Sequence, residues 1–433
     1  MILDQYHQAL QQIPRRLWSG RISKAVAGLV ESVGPHCALG ECCSIRDHSG
    51  KETEGQVVGF HGTTILSMPL YPASGVRFGD TVSTWGARPT IRVTESMMGR
   101  VVNALGHAID GGAPLLGAEL MPVVRAAPDP FEREPIEDPI GTGVRAIDAF
   151  LTCGRGQRVG IFGGSGVGKS TLMGMMARGT SADLTVVALV GERGREVRGF
   201  LDDALGEAGR KRAIVVVSTS DQSPLLRLRA AQSAHSIAEF FASRGKHVLL
   251  VLDSITRFAM AQREIGLAAG EPPTAKGYTP SVFTLLSQLV ERAGNFRAGS
   301  ITAFYTVLME GDDQMDPIVD AVRSLLDGHI LLDRRLTAEG HFPPISLLES
   351  LSRLMPAVCA PEHLAKVQRL RHMLADYTRS EDLIRIGAYQ KGADPDLDRA
   401  MQVIPNLRAF ARQGPVELPR MEQTVESLLT LTE

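Results

Sequence analysis

Long apolar runs are missing from this chain. No stretch approaches ~18 uninterrupted apolar residues, so none is suited to spanning a bilayer as a helix. Cysteine is sparse: Cys37, Cys42, Cys43, Cys153 and Cys359 form an odd set without a CxxC pair. That argues against a zinc site or disulfide framework and for a reducing, cytoplasmic setting. Neither sign of charge is in excess, with 46 Lys plus Arg against 48 Asp plus Glu, a net of −2. No global basic field therefore advertises nucleic acid. Aromatics make up only 5%, with no basic strand rich in Phe or Tyr on which RNA bases would stack, which argues against a ring-shaped RNA helicase. The opening "MILDQYHQALQQIPRRLW" lacks a cleavable signal pattern. Its Ile2, Leu3, Tyr6, Leu10 and Ile13 have helical spacing closed by Pro14, which predicts a docking or assembly helix.

What remains is an ordinary globular composition, 44% apolar and 22% charged, on a chain long enough for two or three domains. From about residue 20 to 85, short β-rich pieces such as "GQVVGF", "TTILSMPL" and "DTVSTW" predict a small barrel or sandwich. A Pro- and Gly-rich connector follows, from "GRVVNALGHAIDGGAPL" through "RAAPDPFEREPIEDPIGTG", with six prolines between Pro114 and Pro139, and such a segment should wrap over a surface. Beyond about residue 150, "RVGIFG", "TVVALVG", "AIVVVS" and "VLLVLDS" alternate with helix-length stretches. This is the pattern of a parallel sheet covered on both faces. "SITAFYTVL" and "GHILLD" should extend it, and the segments after about 355 should be helical.

"GGSGVGKS" matches GxxxxGK(S/T) in full and sits between a strand and a helix. Gly163, Gly164, Ser165, Gly166, Val167 and Gly168 would form a loop whose backbone N–H groups face phosphates, with the helix N-terminus behind them. Lys169 would reach the β- and γ-phosphates, Ser170 would serve Mg²⁺, and Thr171 would continue the cradle. Asp253, at the end of "HVLLVLD", would hold the Mg²⁺ shell. Directly behind another apolar run, "VGERGREVRG" crowds charge. Glu192 lies 23 residues after Lys169, at the end of the next strand in the sequence. If those strands are adjacent in a parallel sheet, its carboxylate lies near the γ-phosphate, placed to polarise water. Arg193 and Arg195 would hold its geometry or pair with phosphate. Glu196 is read first as a structural partner of a neighbouring arginine.

These motifs, with "LDSITRFAMAQREIGLAAGEPP", "GSITAFYTVLMEGDD" and "RSLLDGHILLDRRL", resemble the ATPases of type III protein export. That family comprises the flagellar export ATPase and its injectisome counterpart, and it is related to the catalytic subunits of rotary ATP synthases. The pieces "GMMAR", "EPPTAKGYTPSVF" and "EGDDQMDPI" look more flagellar. The resemblance implies an α/β fold: a RecA-like P-loop ATPase core with a parallel sheet (87–355), a small β-barrel before it (21–86), a helical domain after it (356–433), and an N-terminal docking segment (1–20). It implies ATP hydrolysis with Mg²⁺, catalysed by Glu192 and Lys169 with Arg193 and Arg257. Arg353 would be the finger completing a neighbouring subunit's site, and Phe342 would lie against adenine. It further implies a homohexamer and a coiled-coil stalk protein meeting "GAYQKGADPDLDRA", where Asp394, Asp396 and Asp398 could attract basic residues. "GEPPTAKGYTP" would face the central hole. A stator protein would bind the N-terminal segment, with export chaperones, their substrates and a membrane export gate nearby, at the inner face of the bacterial inner membrane.

Two departures from the family pattern stand out. Ser346 replaces an acidic or amide residue, and "RQGPVEL" offers only Pro415 and Val416 where a second aromatic would sandwich the base. A rotary synthase subunit remains an alternative within the same fold.

Overall fold

The computed structural model describes residues 17–431 except 27, 310, 312 and 314. The expected N-terminal helix lies almost wholly outside those residues. Six strands close an antiparallel barrel in the order Trp18–Val26, Leu29–Val33, Thr64–Pro69, Glu52–His61, Cys42–Arg46 and Thr81–Thr84. Ile22, Val30, Cys43, Ile45 and Val82 fill its interior. The alternation of buried and half-exposed residues along these strands supplies that inward face.

The central sheet runs in the order Leu351–Ser352, Gly328–Leu331, Arg158–Gly163, Ser300–Leu308, His247–Asp253, Leu184–Glu192, Ala213–Thr219 and Val101–Asn103. Every pairing in this row is parallel except that of the edge strand Leu351–Ser352. The middle strands are buried on both faces, which is why they read as continuous Val/Leu/Ile runs. One core lies on each face, the first around Phe258, Val282 and Ile237 and the second around Met173, Met176 and Phe150.

The structure corrects two expectations. The proline-rich connector contributes strands as well as covering a surface: Val101–Asn103 adds to the central sheet, and Glu119–Pro122 pairs with Thr90–Val93. Pairing at sheet edges and strand ends tolerates the prolines and glycines that flank these pieces. The strands carrying the Gly-rich loop and Glu192 are also not adjacent. Two strands, Ser300–Leu308 and His247–Asp253, lie between them, because a crossover connection can skip positions that later strands fill.

The helices Pro361–Arg385, Pro395–Ala411 and Met421–Leu429 follow the sheet. Val403, Ile404, Leu407 and Leu428 share one core with the helix behind the Gly-rich loop. The C-terminal region is therefore packed against the nucleotide-binding face.

Candidate active site

The Gly-rich loop joins Arg158–Gly163 to the helix Lys169–Gly179. Gly166 and Gly168 adopt φ of +78° and +98°, left-handed values that favour glycine and turn the backbone into the cradle. Lys169 is buried. Its Nζ donates to the Gly163 carbonyl oxygen at 2.9 Å and also to the Gly164 carbonyl. Ser165, Ser170 and Thr171 are exposed on the open side of the loop.

Although two strands intervene, Glu192 and the Gly-rich loop share the carboxyl edge of the sheet, with Asp253 between them. Asp253 ends its strand opposite Leu189, and Glu192 extends beyond that point through a bulge at Gly191. Gly191 has φ +70°, and a Cβ there would meet Arg257 Cβ at 3.2 Å, so Arg257 packs across this turn. Asp253 is buried, and its Oδ1 accepts from Thr306 Oγ1 at 2.5 Å. Burial raises its pKa, while the Thr306 hydrogen bond and the charges of Lys169 and Arg257 oppose the rise.

Glu192 is half-buried. Burial, a hydrogen bond shared with Glu196 and the charge of Asp253 push its carboxyl up to about 8, against the pull of Arg257. Glu196 is held low by the same hydrogen bond and by Arg193, whose Nη1 lies 3.7 Å from its Oε1. Within this pair the environment favours a proton on Glu192 over one on Glu196. Glu196 pairs both with an arginine and with the residue expected to be the base. Arg193 and Arg195 are exposed, and Arg257 Nε is buried without a hydrogen-bond partner.

A proton on Glu192 must leave before the group can accept one from water, so kcat/KM for ATP should rise with pH through a midpoint near 8. Glu196→Ala removes the shared hydrogen bond and a neighbouring charge, so the midpoint should move to lower pH. A pH–rate profile measured on both proteins checks this, and coincident midpoints would refute the pairing.

Phe342 borders a cleft of about 540 Å³ together with Gly168, Thr171, Pro343 and Pro415. Where a second aromatic is missing from the sequence, Pro415 borders this cleft, while Val416 is exposed. Gln413 was not anticipated from the sequence, yet it organises this cleft. Its backbone N–H donates to the Phe342 carbonyl at 2.8 Å, its Oε1 accepts from Arg145 N at 2.7 Å, and its Nε2 donates to the Gly143 carbonyl at 2.7 Å. A lone glutamine after a helix gives no sequence signal. Thr306, a hydroxyl inside an apolar run, could have been noticed. Ser346, the other departure, closes its own turn through Glu349, with Oγ and Oε2 3.2 Å apart.

Arg353 is exposed at the opposite edge of the sheet. Its backbone N–H donates to the Asp327 carbonyl, and Asp327 N–H donates to the Arg158 carbonyl, so it stands level with the start of the Gly-rich-loop strand. The length of that strand, roughly 16 Å, separates it from the loop. That is more than an arginine side chain spans. Its own chain's phosphate cradle is out of reach.

The donor set fits a divalent metal held mainly by water and substrate phosphates, for it offers one hydroxyl at Ser170 and one carboxylate at Asp253. Among the described residues no group of three or more His, Cys, Asp or Glu could hold a metal ion by itself. No helix among them is long and apolar enough to cross a membrane.

Residues 143–352 match the ATP synthase alpha/beta family, nucleotide-binding domain, and residues 359–430 match the T3SS EscN ATPase C-terminal domain. The chain is 48% identical to a flagellum-specific ATP synthase of Bacillus subtilis over 95% of both chains. It is 45% identical to a type 3 secretion system ATPase of Sinorhizobium fredii, covering 98% of this chain and 94% of that one. Among solved structures, the assembled ATPase EscN of the enteropathogenic E. coli type III secretion system superposes with a TM-score of 0.90 at 41% identity, covering 95% of this chain and 99% of EscN. A parallel sheet with a complete phosphate cradle, a carboxylate on the same edge and full-length likeness to both branches lead to one conclusion: the chain belongs to the ATP-hydrolysing ATPases of type III protein export.

Proposed function

We propose that this ATPase works as a homohexameric ring with Mg²⁺ and energises flagellar protein export. The observation that carries the ring is the position of Arg353, on the edge of the sheet away from its own cradle. A finger so placed serves a site only if another copy presents its cradle to it, and head-to-tail contacts of that kind close into rings. The solved structures of EscN as an assembled ATPase and in complex with its central stalk EscO support this reading.

In each site Lys169 and the loop amides hold the β- and γ-phosphates, and Ser170 and Asp253 hold Mg²⁺. When bound, the ion neutralises charge on the phosphates. Glu192, once deprotonated, takes a proton from the water whose oxygen bonds to the γ-phosphorus as the bond to the bridging oxygen breaks. Arg257 sets the Glu192 turn, Arg193 holds Glu196, and the neighbour's Arg353 balances charge on the transferring group. Phe342 and Pro415 flank the base.

The C-terminal turn supports a stalk contact narrower than three equivalent aspartates. Asp394 Oδ1 accepts from Asp396 N and Leu397 N and caps a helix, and Asp398 is held by Tyr389 Oη and Gly392 N. Asp396 projects, its side chain 80% exposed, with Arg399 at 3.9 Å. In "GEPPTAKGYTP", assigned to the central hole, Lys276 is tied to Asp313 at 2.7 Å and Asp316 at 3.0 Å.

The flagellar branch is favoured because four flagellum-specific relatives reach 46–48% identity, above the 44–45% of the type 3 secretion ATPases, although two other flagellum-specific relatives stand at 42–44%. Deleting the gene should abolish export of filament protein and motility, with rescue by the wild-type chain but not by Lys169→Ala. Loss of needle-type secretion with motility intact would assign the other branch.

A further inference from the structure

A second cleft, remote from the cradle, lies where the barrel meets the nucleotide-binding domain. It has a volume of about 370 Å³ and is bordered by Glu54 of the barrel, Trp85, Arg88 and Arg92 of the segment after it, and Arg229 of the helix Pro224–Ala242. Arg229 is 94% buried (6% exposed), yet its Nη2 donates to the neutral Gln56 Oε1 at 3.0 Å, and it forms no ion pair with a carboxylate among the described residues. Arg88 donates to the Leu39 carbonyl. Arg92 is exposed on its strand, and neither of these two forms an ion pair among the described residues. Glu54 is close enough for its charge to act on Arg229, but it does not pair with it. Three guanidinium groups thus face one acid. Burial pulls the Arg229 pKa below the usual arginine range, opposed by a hydrogen bond with the Cys42 side chain and by the charge of Glu54.

Buried cations are normally paired or hydrogen-bonded to an anion, because the solvation they lose must be replaced. Here three planar donor forks, two from the segment after the barrel and one from the helix Pro224–Ala242, border one partly apolar concavity, which lies in the size range of small-ligand sites. We infer that this cleft binds a small phosphoryl-bearing anion, held by Arg88, Arg92 and Arg229, which bridges the barrel and the nucleotide-binding domain. Donors arriving from several directions suit a tetrahedral oxyanion better than a single planar carboxylate.

Trp85 lines the cleft, and the chain has only one other tryptophan, Trp18. In full-length Trp18→Phe protein saturated with a non-hydrolysable ATP analogue, so that the cradle is filled, inorganic pyrophosphate should change Trp85 emission saturably. It should also raise the unfolding temperature. Arg92→Ala, an exposed substitution outside the cradle, should leave ATP hydrolysis unchanged and weaken the pyrophosphate effect at least about tenfold, the loss expected for one charge-assisted contact. Arg88→Ala should act likewise. A non-saturable response, or equal affinity in wild type and Arg92→Ala, would overturn the site. Citrate binding as tightly as pyrophosphate at matched ionic strength would overturn the ligand class.

Discussion

Replacing Glu192 with Gln is expected to lower ATP hydrolysis by ~10²–10⁴-fold, the usual worth of a positioned base, while ATP binding changes little. The substitution is structurally quiet for a reason visible in the site. Glu192 shares a hydrogen bond with Glu196 in which the proton is favoured on Glu192, and a glutamine amide can donate the same hydrogen bond. Lys169 and the loop amides, which would hold the phosphates, and Asp253, which would hold Mg²⁺, are untouched. Phosphate release and equilibrium nucleotide binding, measured side by side, separate the two effects. Unchanged phosphate release would remove Glu192 from the mechanism and leave a nucleotide-binding shell.

Arg353→Ala should cost more in the assembled protein, on the order of 10³–10⁵ in rate, as for other arginine fingers. Its fold should survive, because the side chain is exposed and the backbone hydrogen bond to Asp327 remains. Specific activity of the wild type should climb with protein concentration, since a single chain lacks a finger at its own cradle. Mixing gives the sharper result. Arg353→Ala protein retains Glu192, and Glu192→Gln protein retains Arg353, so an interface with the right pairing is complete. Two nearly inactive proteins co-assembled in equal amounts should recover up to about a quarter of the wild-type sites, as random pairing around a ring dictates. No recovery, with assembly verified, would place the arginine's action within one chain and contradict the edge-to-edge separation.

Sequence and structure divide the site between them unevenly. "GGSGVGKS" could be read directly because a phosphate cradle is local. Its glycines, lysine and serine are contiguous, and their spacing is itself the geometry. The alternation of apolar strands and helix-length stretches revealed a covered parallel sheet for a similar reason, since burial on both faces imposes a continuous apolar run on each strand. Strand order is not local. After the cradle strand the chain reaches Glu192 first and Asp253 only two strands later, while the sheet sets Asp253 between the cradle and Glu192. Glu192 therefore shares an edge with Lys169 without being its neighbour, and its raised pKa arises from burial, Glu196 and Asp253 together. Gln413 gathers Phe342, Gly143 and Arg145 from sites 70 or more positions away, which no window along the sequence can register.

The amino-acid order by itself determined the chemistry available: a nucleotide cradle, a metal-binding carboxylate, a candidate base and a finger, on a barrel, sheet and helical tail. Only the tertiary structure decided which of these groups share an edge and which stand apart. It put Arg353 a strand's length from its own cradle, set Glu196 beside Glu192, and left Arg229 buried without an ion-pair partner among the described residues. Residue type and spacing set what a side chain can do, but its field, solvation and reach depend on neighbours brought in from distant positions by the packing of the sheet.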